Sequence, residues 1–175
     1  ADGDASIEIY GDVVADATNP DVGAGGRNTT VHAATDVIVH GDVTNAYTMQ
    51  ILGGGNVVIG DADVTGSGDL VNTNGGTLTV QASTNAGSIN IAGNVTNNSG
   101  ITNINAKDVT IAGALISNGT IGTDAINFTA SDSNGTALSI GSIAANGGTI
   151  NLQSLTGGVA VTGGVSVTGG VLQLG

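Results

Sequence analysis

The chain has 175 residues and a formal net charge of −12, with only Arg27 and Lys107 as basic residues, so nucleic acid and anionic membrane surfaces are disfavoured as partners. Its single Phe, its two Tyr and its lack of Trp and Cys leave it without an aromatic core or disulfides. No apolar run approaches the ~20 residues of a membrane helix, and we expect no membrane insertion.

The core must therefore come from Val, Ile, Leu and Ala, which are dispersed among Gly, Asn and Thr. Gly, Asn and Asp at this density disfavour helices, whereas Val, Ile and Thr favour strands. Disorder is the alternative for so Gly-rich a chain, but the apolar residues recur in alternating triplets and the mean hydropathy is positive. We expect an all-β protein with almost no helix.

The first predicted element is a phrase that recurs along the chain: apolar-x-apolar-x-Gly, followed by Asp or Asn and then Val. Its clearest copies occupy residues 7–13, 37–43 and 89–95, and a weaker copy occupies 57–61. Side chains alternate between the two sides of a strand, so each copy predicts a short strand that ends at a tight corner. The corner glycines are Gly11, Gly41, Gly60 and Gly93, so the intervals between copies are unequal.

Short strands and tight corners that recur in this way predict a single parallel β-solenoid, with about 18–20 residues per coil and a loop inserted in each longer interval. Residues 1–175 form one domain on this interpretation, with about eight or nine coils. The least regular stretch, 15–36, is expected to be a lateral loop excursion, and residues 49–55 are a second candidate. An up-and-down barrel or a sandwich is the main structural alternative, although the predicted strands are short for either.

Asp12, Asp42 and Asn94 occupy the same place in three copies of the phrase. Stacked carboxylates would repel one another unless they were separated or bridged by a cation. We favour the interpretation that each Asx side chain at this corner bonds its own backbone.

A calcium site at Asp61, Asp63 and Asp69 is a further hypothesis, because Ca²⁺ takes several carboxylate and carbonyl oxygens. The alternative, which we favour, is that these groups are solvated corner carboxylates, so no cofactor is expected beyond this candidate Ca²⁺. The two histidines, His32 and His40, make a weak metal site without Cys, and His40 is expected to be a surface residue.

The last predicted coil is residues 157–174, three hexads that each open with two glycines: GGVAVT, GGVSVT and GGVLQL. Eleven of the fourteen acidic residues lie at or before Asp69, and no charged residue follows Asp132. A neutral, Val-rich end is poorly protected against association, and the unpaired strand edges of an uncapped solenoid recruit another chain.

We therefore predict assembly through the two ends of the solenoid. The residues assigned to one end are Ile7, Ile9, Val13 and Val14, and those assigned to the other are Val159, Val161, Val165, Val167, Val171, Leu172 and Leu174. Stacking of the last coil on the first coil of the next copy would give a head-to-tail homopolymer.

Residues 90–97 and 148–152, read as NIAGNVTN and GTINL, resemble the repeats of secreted β-helical adhesins, the filamentous-haemagglutinin-like and autotransporter passenger proteins of Gram-negative bacteria. The resemblance extends over about residues 37–175. It implies a right-handed parallel β-helix that is secreted to the cell surface and serves in adhesion, biofilm matrix or fibre formation. It carries no catalytic residues.

The expected function is an extracellular structural protein that forms a fibre by end-to-end stacking. The first alternative is a monomeric adhesin fragment that binds a carbohydrate or a host-surface ligand through a lateral face or the 15–36 loop. The second is a polysaccharide lyase or hydrolase with Asp61 and Asp63 as its paired carboxylates. The sequence offers no nearby Arg or Lys to stabilise developing negative charge and almost no aromatic residues on which sugar rings could stack. We therefore do not expect an enzyme.

Overall fold

A computed structural model describes residues 5–15, 28–60, 68–132 and 135–175. Within these residues the chain forms strands and no helix. The strands up to Gln81 are β1 (Ile7–Ile9), β2 (Val13–Ala15), β3 (Asn28–Ala33), β4 (Val37–Val39), β5 (Val43–Asn45), β6 (Thr48–Gly53), β7 (Val57–Ile59), β8 (Leu70–Asn72) and β9 (Thr77–Gln81). The later strands are β10 (Ser88–Ile91), β11 (Val95–Asn97), β12 (Ile101–Ala106), β13 (Asp108–Asn118), β14 (Ala125–Ala130), β15 (Thr136–Gly147), β16 (Thr149–Ser154), β17 (Gly158–Val161), β18 (Val165–Val167) and β19 (Val171–Leu174).

These strands stack in parallel on three faces, and one pass round the faces makes one layer of a β-solenoid. The first face is β1, β4, β7, β10, β13, β15 and β17, and the second is β2, β5, β8, β11, β13, β15 and β18, because β13 and β15 continue round the corner. The third face is β3, β6, β9, β12, β14, β16 and β19. The described strands form seven layers, so the chain makes about six turns between its first and last layers, and the predicted parallel β-solenoid is confirmed.

The turns differ in length, as the unequal intervals between the copies of the phrase predicted. Val37 of β4 pairs with Val57 of β7, and this turn is close to the expected length. Val57 in turn pairs with Ile89 of β10, which lies much further along the chain. The short turn has the expected length and the longer one carries the inserted residues expected for it, but the expected count of eight or nine coils is wrong. The error arises because the count was based on the shortest interval, although several turns carry extra residues at a corner.

Both expected loop excursions need correction. Asn28–Ala33, assigned to the 15–36 loop, is strand β3, and Thr48–Gly53 within the second candidate is strand β6. Residues 16–27 lie outside the described part of the chain. Strand β3 was missed because Val31 is its one large aliphatic residue. Strand β6 was missed because glycines follow it directly.

The core is a column of inward-pointing aliphatic side chains that runs through the stack. On β14, for example, Ile126 and Phe128 are buried, and Phe128 lies in register with Ile104 of the layer before and Leu152 of the layer after. Burying one such side chain stabilises the fold by about 1.5–3 kcal/mol. Each layer covers the apolar side of its neighbour, so stability accumulates with stacking.

A ladder of buried asparagines lines the inside of the corner between the second and third faces. Asn45, Asn72 and Asn97 end the second-face strands of three successive layers, and each is 0% exposed. Asn45 donates to Asn72 at 2.8 Å, and Asn72 donates to Asn97 at 3.0 Å. Each side chain also bonds backbone carbonyls of the corner, so the ladder satisfies polar groups that would otherwise be buried without partners.

A second ladder runs along the corner between the first and second faces. Asp12 accepts the backbone N–H of Asp42 at 2.9 Å, and Asp42 accepts that of Asp69 at 2.9 Å. Asp69 accepts that of Asn94 at 2.7 Å, and Asn94 accepts that of Ala114 at 2.8 Å. The side chains thus bond the backbone of the next layer, so the interpretation that they bond their own backbone is wrong.

The same ladder corrects the repeat alignment. The repeated phrase aligns Asp61 with Asp42, but Asp69 occupies that position in the ladder. The backbone N–H of Asp69 donates to the Asp42 side chain, and the Asp69 side chain accepts the backbone N–H of Asn94. Gly60 and Gly68 adjoin each other, since a Cβ on Gly68 would lie 2.5 Å from the Gly60 Cα. Gly68 also has φ +90°, which favours glycine. The corner therefore continues from Gly60 to Gly68, with residues 61–67 between them.

Asp69→Ala is expected to lower the free energy of unfolding by about 1–3 kcal/mol, because the backbone N–H of Asn94 loses its acceptor. Asp69→Asn keeps an oxygen at that position and should cost much less, as Asn94 itself serves in the next layer. Urea unfolding of both variants measures the difference. Equal losses for Ala and Asn would show that charge, and not the acceptor, stabilises this corner.

Candidate assembly surface

The seventh layer, β17 to β19, is the open end of the described stack. Within the described residues no further layer covers its inward positions, and the exposed fractions are 36% for Val159, 53% for Val165, 50% for Val167 and 69% for Leu174. The corresponding positions one layer earlier, such as Ile143 and Ala145, are at most 2% exposed. The last layer therefore presents a row of apolar side chains beside three strand edges.

The remaining predicted residues of this end are more covered. Val161 and Leu172 are partly buried and pack against the core above them. Val171 is partly buried but lies on the outer side of β19. It pairs with Thr149, the first residue of β16, whose side chain points outward. We define the assembly surface as the inward side chains of the last layer: Val159, Val161, Val165, Val167, Leu172 and Leu174.

The first layer is less open than the last. Ile7 and Ile9 of β1 and Val31 of β3 are partly buried against the core, and Val13 of β2 is buried at 9% exposure. Val14 is 57% exposed, but it alternates with Val13 and so points to the lateral surface. Of the four residues assigned to this end, Ile7 and Ile9 keep accessible inward surface.

The ladder of Asp and Asn side chains at the corner between the first and second faces does not reach the last layers. Ala114, Ser142 and Gly164 occupy the positions that follow Asn94 in successive layers, directly before β-strand residues paired in register. The charged groups also end early, since no charged residue follows Asp132. The last two layers are therefore joined by backbone pairing, apolar contact and a hydrogen bond from Thr162 Oγ1 to the Gly141 carbonyl at 3.3 Å, without ionic groups.

One exposed cluster joins the first two layers on the outer side of the first face. His40 Nε2 lies 2.9 Å from Glu8 Oε1, and the His40 ring stacks on Tyr10 at 4.7 Å between centroids. Hydrogen bonds from His40 and then Tyr10 lower the pKa of Glu8, and the hydrogen bond to Glu8 raises the pKa of Tyr10. His40 is thus a surface residue, as predicted, and it bridges layers.

A second ionic contact joins later layers at the corner between the third and first faces. Lys107 Nζ lies 3.4 Å from Asp108 Oδ2 and 3.7 Å from Asp132 Oδ1. The hydrogen bond to Asp108 and its charge raise the pKa of Lys107.

The calcium hypothesis stays a prediction. Asp61 and Asp63 lie outside the described residues, and Asp69 serves the corner ladder. Among the described residues, no three His, Asp or Glu side chains are grouped so as to hold a metal.

Comparison of the chain with protein-family models, with curated proteins and with solved structures finds no match. The solenoid is shown by its own geometry, and the resemblance to β-helical adhesins stays a prediction. In the described part of the chain, no helix has the length and apolar character needed to cross a membrane.

Proposed function

We propose that this protein is an extracellular structural β-solenoid that extends a surface or matrix fibre by end-to-end stacking. The observation that carries the proposal is the exposed apolar inner side of the last layer, where Val165 and Val167 are half-exposed. An open strand edge beside such side chains is the surface to which a further β-layer adds. The extracellular setting rests on the resemblance to secreted adhesins.

The partner layer that fits this surface is the first layer of another copy. Continued parallel stacking places Val159 and Val161 of β17 over Ile7 and Ile9 of β1, and Leu172 over Val31 of β3. These first-layer residues are the ones that retain accessible inward surface. The contact is heterologous, and repeated it gives an open filament.

Charge favours this orientation over a first-layer to first-layer contact. Eleven of the fourteen acidic residues lie at or before Asp69, which is in the third layer, whereas the last layer carries none. Two first layers in contact would bring acidic groups together. A last layer against a first layer places a neutral surface against the acidic end.

The double substitution Val165→Asp and Val167→Asp tests the proposal. We expect the wild-type chain to grow in mass with concentration by light scattering, and the variant to stay monomeric, because two carboxylates cannot be buried unpaired at a junction. Both sites are half-exposed, so the stack itself should stay folded by circular dichroism.

Thr96→Asp and Thr110→Asp, on the outer sides of the second and first faces, form the control pair with the same added charge. The control should assemble as the wild type does. Equal loss of assembly in both pairs would assign the effect to net charge and contradict the proposed surface. A wild-type monomer at all concentrations, or a closed dimer, would contradict the head-to-tail fibre.

A further inference from the structure

The outer side of the third face is an uncharged polar surface on an acidic molecule. Its central column pairs in register through all seven layers and contains only hydroxyl and amide side chains: Thr30, Gln50, Thr79, Asn103, Asn127, Asn151 and Gln173. None of the outward positions on the strands of this face is Asp, Glu, Lys or Arg, although the chain carries a net charge of −12. We call this surface the amide face.

The amide groups of this column are held in place. Asn127 donates to Asn103 at 3.0 Å, and Asn151 donates to Asn127 at 2.7 Å. The Oδ1 of Asn151 is buried and has no hydrogen-bond partner among the described residues, so the chain of bonds ends there, next to Gln173. Repetition at the ~4.8 Å strand spacing makes a fixed array of donors and acceptors.

Two clefts lie at opposite ends of the amide face. One, of about 400 Å³, is lined by His32, Leu52, Gln81, Ser83 and Thr84 with the backbone of two glycines. The cleft is open to solvent along the face. His32, Leu52 and Gln81 stack in register in this cleft, so one apolar side chain lies between two polar ones.

The other cleft, of about 250 Å³, lies at the last two layers and is lined by Asn151, Gln153 and Gln173 among others. Both clefts open on the same face, and six layer spacings separate the first layer from the seventh, about 29 Å. A ligand that used both ends would be extended along the solenoid axis.

We propose that the amide face binds a neutral oligosaccharide or polysaccharide chain, with the cleft at His32, Leu52 and Gln81 as one subsite. Sugar hydroxyls donate and accept hydrogen bonds, as amides and hydroxyls do, and Leu52 offers an apolar contact for the C–H side of a sugar ring. An anionic glycan is disfavoured, because the face supplies no cation and the molecule is strongly acidic. This binding function is separate from the proposed fibre.

Calorimetric titration of the full chain tests the inference, with maltohexaose, cellohexaose and mannohexaose as neutral probes and hexagalacturonate as the charged probe. We expect at least one neutral hexasaccharide to bind and hexagalacturonate not to bind. The double variant Leu52→Ala and Gln81→Ala should weaken the binding at least tenfold. Thr110→Ala on the first face, the matched control, should leave it unchanged.

Several results would overturn the inference: no neutral probe binds, hexagalacturonate binds as well as the neutral probes, or the Leu52 and Gln81 variant binds normally. None of these results bears on Val165 and Val167, so failure here is distinguishable from failure of the fibre.

Discussion

Asn72→Ala is expected to lower the free energy of unfolding by about 3 kcal/mol or more, since several buried groups would lose partners that are each worth about 1–3 kcal/mol. Asn72 is 0% exposed and accepts the Asn45 side-chain N–H at 2.8 Å. It donates to Asn97 Oδ1 at 3.0 Å and to the carbonyls of Gly76 and Ile101 at 3.0 and 3.1 Å. Because the side chain is sealed from solvent, water cannot readily replace these bonds.

Urea unfolding measures this loss, and Asn90→Ala is the control. Asn90 is an exposed strand residue on the first face that donates to Ser88 at 3.2 Å. Its replacement should change stability by about 0.5 kcal/mol or less, as surface substitutions do. If both variants lose the same small amount, the buried ladder does not stabilise the stack.

Phe128→Ala is expected to cost about 3–5 kcal/mol, the usual range for a buried phenylalanine, because the neighbouring layers cannot collapse into the space it leaves. Phe128 is the single Phe of the chain and is 1% exposed in the fifth of seven layers. Ile104 and Leu152 flank it in register and are themselves fixed by strand pairing.

Phe128→Leu is the matched control, since Leu is the residue at the same position in the next layer. It keeps most of the volume and should cost less than half as much in thermal or urea unfolding. A Leu variant as unstable as the Ala variant would mean that the ring itself, and not the filled volume, matters here.

The sequence predicts the solenoid because apolar residues alternate within each of its recurring strand segments. The triplets at 7–9, 37–39 and 89–91 became paired strands of the first face, and the hexads at 157–174 became the three strands of the last layer. In these stretches the side-chain pattern and the strand coincide, so local sequence suffices.

The length of a turn and the ladders could not be predicted in the same way. Which Asp continues a corner depends on how many residues an insertion adds, and the alignment chose Asp61 where the fold uses Asp69. Asn45, Asn72 and Asn97 do end similar triplets, VTN, LVN and VTN, and that repeated Asn was the available signal. Only the register of stacked layers shows that they meet.

The difference between the two ends also required the structure. The sequence suggested that both ends of the stack are uncapped and equally exposed. At the first layer, however, Val13 is buried and Val14 points to the lateral surface, whereas Val165 and Val167 of the last layer are half-exposed. Exposure of an inward residue depends on what lies above or below it, which alternation alone does not encode.

Electron microscopy of the purified chain at high concentration tests the central claim most directly. Head-to-tail stacking predicts unbranched filaments one solenoid wide, with an axial repeat of about 34 Å for seven layers at the ~4.8 Å strand spacing. Isolated particles at every concentration, or filaments without that repeat, would contradict the account.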